Sequence, residues 1–207
     1  LTSAGYKNLS EYRQKMIKQI QYANFLLDYI DDHFDDVFND YYQQCAPKYV
    51  SLIKISVSDT SSPTDDETSK LNEVKELISN TDKSFGDIAQ DYSNDSTSSK
   101  DTSGIANSYG KDVFNAIEAL SEGQVSDVIT GDNGYYFVKV TSTDKKTLKK
   151  ELKKTDIDSP LLAYDDYLQY VVYNSYKINY KDKDIKKIVQ EVVNKALEER
   201  KTERGEA

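Results

Sequence analysis

The chain has 207 residues, 37% of them hydrophobic and 30% charged, which is enough for one or two domains with a buried core. A net charge of −9 argues against nucleic-acid binding, which needs a basic surface, and we expect no nucleic-acid partner. A single cysteine excludes an intrachain disulfide, and with a single histidine it argues against a metal centre, so we expect no metal or cofactor.

The first 47 residues are predicted to be helical. Apolar residues at steps of three and four predict a helix over 9–30 with Ser10 as its N-cap. A second helix is predicted over 35–45, and Pro47 ends it. An acidic block over 28–40 would be able to dock on the lysines of 145–154.

The middle of the chain alternates strand and helix signals. Residues 50–57 are rich in β-branched side chains and predict a strand. Thr64 and Ser84 each precede an acidic residue by three positions, which is a capping-box pattern at a helix start. The polar stretch 93–103 is predicted to be a surface loop, and 111–120 a helix.

A β-hairpin is predicted over 123–140. Its turn is the stretch Gly131-Asp132-Asn133-Gly134, and Asn-Gly is the strongest short-range hairpin signal because both residues tolerate positive φ. The hairpin would close a small domain that begins near residue 48.

The C-terminal part is predicted to be helical again. Ser159-Pro160 predicts an N-cap followed by proline at the first helical position, Asp182 predicts the start of the last helix, and residues 202–207 are expected to fray. The two ends of the chain should pack together through five apolar residues: Ile20, Leu27, Val171, Val189 and Val193.

Several stretches resemble a known family. Phe85–Asp95, Leu120–Ser126 and Gly134–Val140 resemble a parvulin-type (PpiC-like) peptidyl-prolyl isomerase domain. The flanks Lys149–Lys153 and Ile178–Lys186 resemble the PrsA-type extracellular foldase lipoproteins of Gram-positive bacteria.

The resemblance implies an α+β fold, with a parvulin-like small β-sheet domain over 48–144 inserted into a split all-α chaperone domain of the SurA/PrsA type. The halves of the helical domain would be 1–47 and 145–207. It also implies a location at the outer face of the cell membrane of a Gram-positive bacterium. Because the chain begins at Leu1 rather than Met, we expect any signal peptide or lipid anchor to precede it.

The chain departs from the family at the residues that line the isomerase groove. The family places one histidine on the first strand, where this chain has Leu52 or Lys54 depending on register, and another on the last strand, where it has Tyr136. Asp95 falls where the family has its active-site Asp or Cys.

The proline pocket of the family contains a Met and a Phe. Phe114 or Val113 takes the position of that Phe here, and the Met is missing. By resemblance the candidate catalytic residues are therefore Asp95, Tyr136 and Phe114. The alternative interpretations are a loop aspartate in an Asx-turn for Asp95 and an ordinary packed strand residue for Tyr136.

The resemblance implies a foldase or chaperone that binds unfolded or partly folded exported proteins through its helical domain, with weak or no isomerase activity because both histidines are replaced. One alternative is an active peptidyl-prolyl isomerase with an altered site for X-Pro peptides, and another is a cell-envelope assembly adaptor. Membrane association would come only from an anchor outside this chain, and a homodimer is a further expectation from resemblance.

Overall fold

The structure is a computed structural model that describes residues 5–95, 100–101, 109–131, 133–153 and 157–206. Its helices and strands are α1 (Leu9–Asp32), α2 (Phe34–Cys45), β1 (Tyr49–Ser56), α3 (Asp65–Asn80), α4 (Phe85–Tyr92), β2 (Lys100–Asp101), α5 (Lys111–Glu118), β3 (Ile129–Gly131), β4 (Gly134–Ser142), α6 (Lys145–Leu152), a 3₁₀ helix (Pro160–Leu162), α7 (Leu168–Ser175) and α8 (Lys183–Glu203).

The chain divides into two compact units. The helical unit comprises residues 1–41 and 154–207, and the sheet unit comprises residues 42–153. Helix α6, in the lysine-rich stretch, falls in the sheet unit by this division. The domain boundaries inferred from the sequence, at 47/48 and 144/145, stay a prediction.

The sheet unit contains an antiparallel sheet with strand order β2-β1-β4-β3. The central pair is β1 with β4, and in its register Lys54 lies opposite Tyr136. Strand β2 lies within the stretch that was predicted to be only a polar loop, and its two residues pair with Tyr49 and Val50. The prediction was wrong there because main-chain pairing at a sheet edge needs no apolar side chains.

Both faces of the sheet are covered, since successive side chains of a strand point to opposite sides. One buried cluster contains Val50, Leu52, Tyr109, Val113, Ile117, Tyr136, Val138 and Val140. The other contains Ile53, Ile55, Leu71, Val74, Phe85, Ile88 and Phe137. The alternation in β1 therefore directs neighbouring residues into two different packed layers.

The predicted hairpin is present, but its first strand is short. Strand β3 has three residues, and Val125 adds a single bridge to Lys139. Gly131 pairs with Gly134, so Gly134 is the first residue of β4 rather than part of the turn. A Cβ on Gly134 would lie 2.4 Å from the backbone oxygen of Ile55, and close strand approach therefore requires glycine there.

The helical unit buries the end of α1 and most of α2. Its buried apolar residues are Leu26, Leu27, Ile30, Phe34, Val37, Phe38, Tyr41, Leu161, Leu168, Val172, Val193 and Ala196. The predicted contact through Ile20 is wrong, because that side chain is 51% exposed. The N-cap of α1 is Asn8, whose side chain accepts from the Glu11 N–H, and not Ser10.

The C-terminal predictions are partly wrong. Ser159 caps a helix with Pro160 at its first position, as expected, but this helix is a 3₁₀ turn that ends at Leu162. Asp182 caps α8, as predicted. Residues up to Glu203 are helical instead of frayed, because the next residue, Arg204, is fixed by ion pairs.

Those ion pairs form a partly buried network in the helical unit. Arg204 bonds to Asp40 Oδ1 at 2.6 Å and to Asp165 Oδ2 at 2.9 Å, and Arg200 bonds to the same two carboxylates at 3.1 and 2.8 Å. Tyr164 donates its hydroxyl to Asp40 at 2.8 Å. Asp40 thus binds Arg200 of α8 and Arg204, which follows it. The docking of the acidic block on the lysines of 145–154 stays a prediction.

Candidate functional site

The backbone that carries Asp95 is held against the edge of β1. Ser93 Oγ accepts from the Lys54 N–H at 3.0 Å, the Asn94 N–H donates to the Lys54 carbonyl at 2.7 Å, and Asn94 Oδ1 accepts from the Ser56 N–H at 3.0 Å. The segment after α4 thus takes the place of an edge strand along this end of β1. Asp95 follows directly and is brought beside the Lys54 end of the strand.

Tyr109 connects Asp95 to Tyr136. Its hydroxyl donates to Asp95 Oδ2 at 2.5 Å, and its ring meets the ring of Tyr136 edge to face with centroids 5.7 Å apart. Sequence reasoning missed Tyr109. The spacing Tyr109, Val113 and Ile117, with steps of four residues, is the signal that would have indicated it as part of one helical face.

Tyr136 is almost completely buried, with 1% of its surface exposed. Its hydroxyl donates to Asn133 Oδ1 at 2.5 Å. A Cβ on Gly131 would lie 2.6 Å from Cε2 of Tyr136, so the missing side chain at Gly131 makes room for the ring. Turn and strand residues therefore fix this tyrosine in one position.

Lys54 lies opposite Tyr136 in the sheet, with its Nζ 5.8 Å from the centre of the tyrosine ring. That distance allows a cation–π interaction. Leu52, the other register candidate, is buried in the cluster that also holds Tyr136. A lysine and a tyrosine thus form the cross-strand pair at this end of the sheet.

Phe114 is half-buried and packs against the cluster that contains Tyr109, Val113 and Tyr136. It also lines a cleft of about 130 Å³ with Cys45, Ala46 and Lys48. Val113 is fully buried in the same cluster. The structure therefore brings Asp95 and Tyr136 together through Tyr109 and places Phe114 at the edge of their cluster, and a catalytic role for these residues stays a prediction.

Prolyl isomerisation requires an apolar surface for the proline ring and polar groups that favour the twisted amide. The polar groups here are the Tyr109–Asp95 pair and the Lys54 ammonium. The apolar surface, formed by Val113 and Tyr136, is already covered by the protein's own side chains. Within the described ranges, no group of three His, Cys, Asp or Glu residues is placed to hold a metal ion.

The helical unit has a second candidate surface, here called the tyrosine groove. It has a volume of about 420 Å³ and is lined by Tyr173, Asn174, Tyr176, Lys177, Ile178, Tyr180, Lys186, Val189, Gln190, Val193 and Asn194. Neighbouring apolar residues of α8 also face solvent, with Ile185 54% and Ile188 60% exposed. An open apolar and aromatic surface of this kind is typical of a binding site for polypeptide.

Known proteins resemble this chain over most of its length. A family model for the PPIC-type PPIase domain matches residues 35–154. The foldase protein PrsA of Staphylococcus aureus (strain bovine RF122 / ET3-1) is 30% identical over 134 residues, which is 60% of this chain and 41% of the relative. The PrsA of Staphylococcus epidermidis (strain ATCC 35984) is 28% identical over 138 residues, with the same coverage. The chain therefore spans about two fifths of the length of these curated relatives.

Two solved structures are also similar. Crystal structures of PrsA from Bacillus subtilis and from Streptococcus pneumoniae each give a TM-score of 0.44 at 20% identity. The first match covers 89% of this chain and 71% of the other, and the second covers 92% and 73%. The family model and the staphylococcal relatives confirm the resemblance to PrsA-type foldases inferred from the sequence. The helices and the antiparallel sheet of the structure confirm the α+β fold class. Since its family model covers more than half of the residues, the chain belongs to the PPIC-type PPIase domain family.

Proposed function

We propose that this chain is part of an extracytoplasmic foldase that binds unfolded exported proteins through its helical unit, and that its sheet unit has weak or no isomerase activity. The observation that carries the second half is the burial of Tyr136, which stands at a histidine position of the family and is 1% exposed. A substrate proline would have to displace a ring that is fixed by Asn133 and Gly131. Lys54, opposite it, takes the other histidine position in this proposal.

The first half of the proposal is supported by the tyrosine groove and by the exposed isoleucines of α8. Unfolded chains expose apolar side chains that a folded protein would bury, and an open aromatic surface binds them without requiring one sequence. The resemblance to PrsA supports a location at the outer face of a Gram-positive cell membrane, which is part of this proposal. None of the helices described by the structure is long and apolar enough to cross a membrane.

The direct test is prolyl isomerisation of a panel of X-Pro peptides by the full chain, measured by protease coupling or NMR exchange. We expect a rate equal to the uncatalysed one or only slightly above it. The double variant Lys54→His/Tyr136→His, compared with Lys139→His as a control in the same sheet, is expected to be the only one that gains activity. Clear catalysis by the unsubstituted chain would contradict the loss of activity.

The alternative of an active isomerase with an altered site has one observation in its favour. Asp95 accepts a hydrogen bond from Tyr109, and Tyr109 belongs to the same buried cluster as Tyr136. If this pair is catalytic, the unsubstituted chain exceeds the uncatalysed rate, and both Asp95→Ala and Tyr109→Phe abolish the excess. Aggregation assays with an unfolded client test the chaperone activity separately.

A further inference from the structure

The segment between α7 and α8 leaves its main chain open next to the tyrosine groove. The backbone is extended where it leaves α7 at Tyr176 (φ −92°, ψ 141°) and again at Asp182 (φ −116°, ψ 128°). Residues 177–180 between them belong to no helix or strand. Within the part of the chain that the structure describes, their N–H and C=O groups make no hydrogen bond to protein.

The side chains of the same segment line the groove. Tyr176, Lys177, Ile178 and Tyr180 all line the cavity. Tyr176 and Ile178 are 40% and 38% exposed. The three apolar or aromatic residues are spaced by two, which is the period of an extended strand, and the lysine stem between Tyr176 and Ile178 reaches the same groove. A row of unpaired main-chain groups beside such side chains is a template for another strand.

The groove also carries positive charge on a chain whose net charge is −9. Lys177 and Lys186 line it, and no lining residue has a carboxylate. Between residues 177 and 187 there are five lysines and two aspartates, and the Asp182 carboxylate already caps α8. The local field therefore favours a partner with carboxylates.

We propose that residues 177–180 bind an extended segment of an unfolded client by β-strand addition, in which main-chain hydrogen bonds form along 177–180, apolar client side chains enter the tyrosine groove, and client carboxylates pair with Lys177 and Lys186. This is the strand-addition mode of peptide recognition, in which the backbone provides affinity and the pockets select alternate side chains. The inference rests on the proposed client-binding function and assigns it a site and a substrate class: extended, acidic and apolar.

The first test uses peptides, with the full chain as receptor. The probe is fluorescein-labelled acetyl-Glu-Phe-Glu-Val-Glu-Phe-Glu-amide, and binding is measured by fluorescence anisotropy. Two further peptides carry N-methyl groups on alternate residues, one on the odd and one on the even set. Because a strand presents the N–H groups of alternate residues to one edge, we expect one methylated peptide to bind at least about tenfold more weakly and the other to keep its affinity. Equal affinity of both methylated peptides, whether retained or lost, would overturn pairing along one edge.

The second test uses variants of the chain with matched controls. Ile178→Ser and Lys186→Glu are each expected to weaken binding of the acidic probe about tenfold. A second peptide has lysine in place of each glutamate, and Lys186→Glu is expected to reduce the preference of the chain for the acidic peptide over this basic one. The controls are Ile157→Ser, which changes an isoleucine that is 60% exposed, and Lys75→Glu on α3. An equal effect of the controls, or no effect of the groove variants, would overturn the proposal.

Suppression of the aggregation of reduced, unfolded α-lactalbumin separates this inference from the proposed function. If the chain suppresses aggregation and the groove variants do so equally well, the strand-addition site is wrong while the foldase proposal stands. If the chain suppresses no aggregation but binds the probe with the alternate-residue pattern, the site stands and the chaperone function fails.

Discussion

Tyr136 in the sheet unit and Tyr176 in the helical unit both pack against other aromatic rings. Tyr136 meets Tyr109, and Tyr176 meets Phe25 with ring centroids 5.3 Å apart. Yet Tyr136 is 1% exposed, whereas Tyr176 is 40% exposed. The difference comes from the elements that carry them, because a strand covered on both faces sends most of its side chains into packed layers, whereas the end of a short helix leaves one side open.

That contrast bears on function. The sheet unit holds Tyr136 in a covered layer, whereas the helical unit keeps aromatic and aliphatic surface in contact with water. Under the proposed function, the covered layer accounts for weak or absent isomerase activity and the open surface for client binding. Four experiments test the contacts that stabilise each unit, in order of expected effect.

The largest effect is expected from Asp165→Asn in the helical unit. The Asp165 carboxylate is 3% exposed and binds both Arg200 and Arg204, so its neutralisation leaves two partly buried guanidinium groups with only Asp40 to share. We expect a loss of about 3 kcal/mol in the free energy of unfolding. Urea denaturation measures the loss, and hydrogen exchange shows whether it is confined to the helical unit. The control Glu198→Gln, which breaks an exposed pair with Lys201, should change stability by less than about 0.5 kcal/mol.

A smaller loss is expected from Gly131→Ala in the sheet unit. The added methyl group would lie 2.6 Å from the Tyr136 ring and must displace it. We expect about 2 kcal/mol of destabilisation, measured by urea denaturation. Gly86→Ala is the control, because its Cβ would meet its nearest neighbour, Ser84 Oγ, at an ordinary 3.8 Å. Equal stability of the two variants would show that Tyr136 is not fixed by the turn.

Tyr109→Phe is expected to have a smaller effect again. It removes the hydrogen bond to Asp95 while the ring stays in the core, and we expect a loss of about 1 kcal/mol. Hydrogen exchange of the Lys54 and Ser56 amides, which the Ser93–Asn94 segment holds, should report the local loosening. The control Tyr92→Phe removes an exposed hydroxyl that donates to Glu73. If the control destabilises as much, the Tyr109 bond has no special role.

The smallest change in stability near neutral pH is expected for a substitution of Tyr164, because the contribution of this residue to the pH dependence of stability appears only at alkaline pH. Burial, followed by its hydrogen bond to Asp40, raises the pKa of Tyr164 far above its ordinary value of 10. Above pH 10 the unfolded chain loses this proton while the folded chain keeps it, so stability falls as the pH rises, by at most about 1.4 kcal/mol per pH unit. We expect Tyr164→Phe to flatten the decline measured by urea denaturation between about pH 9 and 11. The exposed-residue control Tyr173→Phe should leave it unchanged.

Much of the local structure could be predicted from short stretches of sequence. Thr64 and Glu67 form the capping box that starts α3, in which each side chain accepts a hydrogen bond from the backbone N–H of the other residue. Ser84 caps α4 by accepting from the Asp87 N–H. The β-branched run over 50–57 became β1. These features depend on residues within about four positions of each other, so a local pattern is sufficient to specify them.

The candidate site depended on contacts that no local pattern contains. The sequence placed Asp95, Tyr136 and Phe114 in it by resemblance, but Tyr109, which connects Asp95 to Tyr136, was missed. The sequence could not show which residue of β1 faces Tyr136, and the pairing with β4 puts Lys54 opposite it. Which of Leu52 and Lys54 takes the histidine position of the family stays a prediction. Strand pairing is decided by residues distant in sequence, so only the complete sheet fixes it.

The amino-acid sequence by itself determined the starts of α3, α4 and α8, the main strands, the hairpin and the family, because capping, alternation and motif spacing act over short distances. The tertiary structure decided which apolar residues are covered and which charges pair. Ile20 belongs to a regular helical stripe yet faces solvent, and Arg204 near the chain end is bound to Asp40, 164 positions away. Burial and ion pairing require partners that are distant in sequence, and the fold alone brings those partners together.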